Sequence, residues 1–150
     1  MRIYLPLTTP DRPVLESAGG RIELVGGRAA WAVTAEARTD RPGQDEEDLE
    51  YDALQDAIHI ALSTGSSSAR ALVIAADVPE AAVRPGSEGG GAFGISLREE
   101  VTARIASFHV TELDAAAAEA DDTDPALLWF DATEGPAALA FLGGGPPSAD

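Results

Sequence analysis

Ala71-Leu72-Val73-Ile74-Ala75-Ala76 runs directly into Asp77-Val78-Pro79-Glu80. Six apolar residues without a polar break have strand length and no alternation, so the run predicts a β-strand buried on both faces. The tetrad after it places a small acceptor first and a carboxylate three residues on, the pattern of a helix start. The same order recurs along the chain. Ile105–Val110 precedes Thr111-Glu112-Leu113-Asp114, Leu127–Phe130 precedes Asp131-Ala132-Thr133-Glu134, and Arg2–Leu7 precedes the weaker copy Thr8-Thr9-Pro10-Asp11. Apolar strand followed by helix start, repeated, predicts the α/β class.

The remaining segments fill in that frame. Arg21–Val25 reads as a short strand, and Ala92–Leu97 as an edge strand. Trp31, Val33 and Ala35 alternate with Ala32, Thr34 and Glu36, so residues 29–38 read as a half-exposed strand. Asp45–Leu62 is the clearest helix: Leu54, Ile58, Ala61 and Leu62 recur at helical spacing, and acids fill the first turns, where the helix dipole favours them. Shorter helices are expected over Pro13–Ala18, Glu112–Ala120 and Pro136–Leu142. The expectation is one α/β domain over residues 1–142, a mixed sheet of about five strands flanked by three or four helices. Residues 84–94, rich in Pro and Gly, read as a flexible loop, and 143–150 as a disordered tail.

Composition removes many chemistries. The 150 residues carry 26 acids against 10 basic residues, a net charge of −16. All ten are Arg, so no lysine can form a Schiff base or bind a phosphate in the Walker manner. No Cys is present, which removes disulfides, thiol nucleophiles and cysteine-ligated zinc. The charge argues against general nucleic-acid binding and against anionic membranes, and it permits basic partners. No run approaches the length of a membrane span. The start, Met1-Arg2-Ile3-Tyr4-Leu5-Pro6, reaches Pro too soon for a signal peptide, so a cytoplasmic location is expected. Of the apolar residues 29 are Ala, so the elements must pack closely to make one core.

Several motifs carry a chemical reading beside a plainer one. Gly89, Gly91 and Gly94 match GxGxxG, but Arg84–Glu88 precedes them and a strand-like segment follows, whereas a dinucleotide loop must leave a strand and open a helix. Asp48, Asp52 and Asp56 with His59 lie along one helix face. Oxygen ligands and an imidazole could hold a divalent cation there, but a solvated acidic face is the favoured reading. Asp77, Glu80, Glu112, Asp114, Asp131 and Glu134 sit at strand exits. Parallel strands would gather them at one sheet edge, where Asp77, Asp131 and Glu134 are the candidate metal ligands. Helix capping is the competing role. His109 shares an alternating strand face with Ser107 and Ile105, yet no GxSxG elbow marks a serine nucleophile. Trp31, Trp129 and Phe130 read as core. In the Leu127–Phe130 run, helices on both sheet faces would hide both neighbours, whereas a two-layer fold would expose one as a patch.

The opening MRIYLP and the segments WAVTAEAR, EEDLEYDAL, RALVIAADVP, IASFHVTE and LLWFDATE occur in that order. Together they resemble a family of small, uncharacterised actinobacterial proteins, a domain of unknown function. The resemblance spans residues 1 to about 142 apart from the 84–94 loop. It implies no activity and no site residues.

The residues therefore favour a non-enzymatic cytoplasmic accessory module acting through protein–protein contact, without a cofactor, and with a basic partner as the charge permits. The alternative is a divalent-metal-dependent enzyme using the strand-exit carboxylates. A third reading is an acidic mimic of nucleic acid. One consequence is independent of function. Truncating Leu54 or Ile58 to Ala should cost on the order of 2–5 kcal/mol in urea unfolding, whereas Asp52→Ala should stay within about 0.5 kcal/mol. An Asp52 variant more damaging than either would show that the acidic face is buried or engaged.

Overall fold

The computed structural model describes residues 1–86, 92–121 and 123–144. In chain order the elements are β1 (Arg2–Pro6), α1 (Arg12–Ser17), β2 (Arg21–Leu24), β3 (Ala29–Ala32), α2 (Ala35–Asp40), α3 (Glu46–Thr64), β4 (Leu72–Asp77), β5 (Val83–Pro85), β6 (Gly94–Leu97), β7 (Val101–Thr111), α4 (Ala115–Ala120), β8 (Leu127–Asp131) and α5 (Gly135–Leu142). The strands form one sheet in the order β2-β7-β4-β1-β3-β6-β5, and β8 also lies against β7. The α/β class holds. The mixed sheet of about five strands does not: among the described residues eight strands are present and every pairing is antiparallel. Five α-helices replace the three or four expected.

The differences have local causes. Residues 29–38 are not one strand. Thr34 takes an extended conformation and its Oγ1 accepts from Ala37 N–H at 3.0 Å, which caps α2 and ends the alternation. The same hydroxyl donates to the Ala92 carbonyl at 2.6 Å. Gly94–Leu97 is not an edge, because β3 and β5 flank it. The strand β5 has only three residues, too few to show a period. It takes Arg84 and Pro85 from the expected loop, and Gly94 belongs to β6. Residues 87–91 of that loop, and 145–150 of the expected tail, lie outside the described residues.

Three layers result. On one face α3 lays Leu49, Ala53, Leu54, Ala57 and Ile58 on Tyr4, Trp31, Val73, Ala75 and Phe93. On the other, Leu15 of α1 with Ala138 and Phe141 of α5 covers Ile3, Leu5, Leu72, Ile74, Ala76, Phe108 and Phe130. The strand β4 is buried on both sides from Leu72 to Ala76, as its unbroken apolar run requires. The helices α1 and α5 approach so closely that any Cβ at Gly135 would collide with the Leu15 carbonyl.

One polar group is set deep in this frame. Asp11, at the start of α1, has a side chain only 6% exposed and receives both arms of the Arg28 guanidinium, at 2.9 and 2.7 Å. It also accepts from Thr8 N–H, while Arg28 reaches the Pro6 carbonyl at 3.0 Å. The fork ties the end of β1 to the β2–β3 turn. Burial pushes the Asp11 carboxyl up, but the Arg28 and Thr8 bonds outweigh it and hold it below its ordinary value. A depressed carboxyl stabilises the fold above the ordinary carboxyl range and loses that contribution as pH falls from about 4 through the folded value. Arg28→Ala strands a buried carboxylate and should cost about 3–5 kcal/mol at pH 7 in urea unfolding. The penalty should shrink at pH 3, and an equal loss at both pH values would show that the Asp11 charge is not what the variant exposes.

Candidate functional site

The strand-exit acids do not meet. Because β7 runs antiparallel to β4 and β8, Thr111, Glu112 and Asp114 leave the sheet at the end opposite Asp77 and Asp131. Asp77 takes the Arg2 side chain, Nε to Oδ1 at 2.6 Å and Nη2 to Oδ2 at 3.3 Å. Asp131 Oδ1 accepts from Thr133 N–H and Oγ1–H, and Glu134 Oε1 turns back to the Asp131 N–H. Of the candidate ligands, Asp131 and Glu134 thus share one turn, while Asp77 is held apart from them by Arg2. Among the described residues no group of three or more His, Asp or Glu is placed to hold a metal.

Capping also falls on other residues than the pattern suggests. Asp77 caps no helix, and Thr111 Oγ1 instead accepts from Ala71 N–H across the sheet at 2.9 Å, fully buried. Asp114 caps α4 by accepting from Ala117 N–H. On α3, Asp45 is the cap and accepts from Asp48 N–H, Asp52 accepts from Gln44, and burial raises the Asp56 carboxyl above its ordinary value. His59 is exposed, close enough to Asp56 for its charge to act against that rise, and it faces a cavity of about 550 Å³ shared with α4, Asp121 and Thr123–Pro125. Of the glycine motif, Gly94 opens β6, while Gly89 and Gly91 lie outside the described residues.

The face of the sheet beside α3 is where unsatisfied surface collects. The helix lies chiefly over β1, β3 and β4, with Leu127 at the start of β8 packed against its cluster. On β7 a bulge shifts the register: Ala76 faces Ile105 but Ala75 faces Ser107, so Ala106 is extra. Ile105 therefore joins Phe108 and Val110 in the α1–α5 core, and Ser107 and His109 turn to the α3 side. The face shared by Ile105, Ser107 and His109 in simple alternation does not exist. Across β7, His109 stands opposite Trp129, which is 61% exposed. Phe130 and Trp31 are core, as expected, but Trp129 is open although helices lie on both faces. The reason is coverage: on this side Leu127, at the start of β8, packs against the α3 cluster, but Trp129, two residues on, lies beyond it.

Ser107 Oγ and His109 Nε2 are 2.9 Å apart. The distance suits a serine and its base, but the surroundings do not. Ser107 is 5% exposed, no carboxylate bonds His109 among the described residues, and burial with the nearby Arg2 charge pushes the imidazole down to about 4. So weak a base cannot deprotonate a hydroxyl at neutral pH. The bond satisfies a buried hydroxyl and a half-buried imidazole. Beside it a transverse row of charge crosses four strands: Arg2 opposite Asp77, Asp77 opposite Arg104, Arg104 opposite Arg21.

A family model matches residues 1–139. The chain belongs to DUF6912, a family of unknown function. No curated protein and no solved structure matches it. For this DUF6912 chain the exposed Trp129 was not legible in sequence, because Leu127-Leu128-Trp129-Phe130 carries no polar residue to mark the outward side.

His109 sets a pH dependence. The fold favours the neutral imidazole, with its pKa lowered from 6.5 to about 4. Between those values the unfolded chain takes up a proton that the folded chain refuses. Stability is therefore intact above about pH 6.5 and lost as pH falls toward 4, by about 2 kcal/mol at pH 5. His109→Gln should remove that loss in urea unfolding measured at pH 7.5 and pH 5. An unchanged slope in the variant would place the titrating group elsewhere.

Proposed function

We propose that the protein is a non-enzymatic accessory module that works by binding a partner protein on the half of the sheet left open beside α3. The observation that carries this reading is Trp129: a tryptophan 61% exposed, in the middle of a strand held by ladder bonds to β7. A large rigid side chain on a fixed backbone loses little entropy on being covered, and tryptophans of this kind dominate binding energy at interfaces. The strand carrying it pairs with β7 alone. The other outer strands are blunted, β5 by its length and Pro85, β2 by Arg21 and Glu23.

The test compares wild type, Trp129→Ala and Tyr51→Ala, the last replacing another exposed aromatic, on α3. Each is immobilised against lysate of the source organism, and retained proteins are identified and then reconstituted pure. A partner that forms a defined complex with wild type and Tyr51→Ala, and binds Trp129→Ala at least tenfold more weakly, supports the proposal. A reconstituted partner indifferent to Trp129 overturns it.

A further inference from the structure

The open face carries a second feature that bears on what the partner must be. Arg21 and Arg104 stand directly opposite each other on β2 and β7, and both are exposed. Directly opposed residues of an antiparallel pair have Cβ atoms about 5 Å apart, and like charges there are destabilising. The neighbouring carboxylate does not relieve them. Asp77, opposite Arg104 on the far side, is taken by the Arg2 guanidinium at 2.6 Å. Glu23 lies two residues along β2 on the same face, yet neither arginine forms an ion pair among the described residues. In a chain with 26 acids and 10 arginines, two arginines stand directly opposite each other, neither in an ion pair among the described residues.

The same pair stands in register with Trp129. Both β2 and β8 lie on one side of β7, β2 along Val101–Arg104 and β8 along Ser107–Thr111. From Arg104 to His109, which faces Trp129, is about four strand positions once the bulged Ala106 is discounted, or roughly 13 Å. An extended chain presents residues i and i+4 on one side at that spacing.

We infer that the partner offers an extended acidic segment, with an apolar side chain over Trp129 and, four residues away, a carboxylate set in the fork of Arg21 and Arg104. This rests on the docking reading above and adds its chemistry. Net charge alone points to a basic partner, but charge acts locally. At physiological salt the screening length is about 8 Å, so this contact is governed by the groups around it: the two arginines, Glu23 on β2, and Asp131, which lies on the same face opposite Ser107 between the pair and Trp129. A lysine or arginine arriving at the pair meets two like charges at short range.

Three octapeptides test the inference: one with Phe and, four residues on, Glu; its twin with Lys for Glu; and a third with Gly for Phe. Binding is followed by tryptophan emission, in which the buried Trp31 gives a constant background and Trp129 reports coverage. The Glu peptide should shift the emission to shorter wavelength and bind at least tenfold more tightly than the Lys twin. It should weaken several-fold between 50 and 500 mM salt and lose its advantage in Arg21→Glu/Arg104→Glu. Should that double variant melt early, Arg21→Gln/Arg104→Gln serves the same purpose. Equal binding of the Glu and Lys peptides, abolished by Trp129→Ala, overturns the acidic inference and leaves the docking reading standing. No saturable shift with the Glu peptide at millimolar concentration also overturns it, and the partner reconstitution above then decides the docking reading separately.

Discussion

Everything in this fold answers to the burial of β4. Its backbone N–H and C=O groups lie away from water, so each must be bonded, and a strand can satisfy them only with a neighbour on either side. β1 and β7 supply those neighbours. Its side chains are apolar on both faces, so both faces must be covered. That demand places α3 on one side and α1 with α5 on the other. Alanine shapes how closely the layers meet. Ala53, Ala57 and Ala75 on the α3 side, and Ala76 and Ala138 on the other, let backbones approach where larger residues would hold them apart. The contact of Gly135 with the Leu15 carbonyl is the extreme case.

The same constraint explains the open surface. One helix of 19 residues covers the buried strand β4, its neighbour β1, and β3 beyond that. Toward β8 its cluster takes in Leu127, and Trp129, two residues further along that strand, is left exposed. The bulge at Ala106 then decides what lies on the uncovered part. By adding one residue it keeps Ile105 and Phe108 in a single core and turns Ser107 and His109 to the α3 side. Without it, the second half of β7 would present Ser107 and His109 to the α1–α5 core and Phe108 to solvent.

Charge has two scales in this molecule. The net charge of −16 describes solubility and long-range repulsion. Individual charges are decided by neighbours at 3 Å. Asp11 and Arg28 are charged and nearly buried because each satisfies the other and the backbone around it. Asp131 spends its carboxylate on a turn of its own. Arg21 and Arg104 are the contrast, since the register that completes β2 brings them together without regard to charge.

The sequence by itself determined the class, the central strand, the long helix and most strand positions, because each rests on local periodicity or an unbroken apolar run. It also ruled out lysine and thiol chemistry by composition. Strand direction was not local information. Asp77, Thr111 and Asp131 follow apolar runs in the same way, yet antiparallel pairing sends Thr111 to the opposite end from the other two. A helix-start pattern marks where a carboxylate can bond, not which N–H will reach it, so Asp77 found Arg2 and Thr111 found Ala71. Thr34 ended a strand that alternation alone would have continued, because one capping bond outweighed a weak β pattern in alanine. Only the tertiary structure decided that Trp129 is exposed and Phe130 buried, and that two arginines stand face to face. Those facts depend on how far a helix reaches across a sheet and on the register between strands about 80 residues apart in sequence, and no window of neighbouring residues contains either.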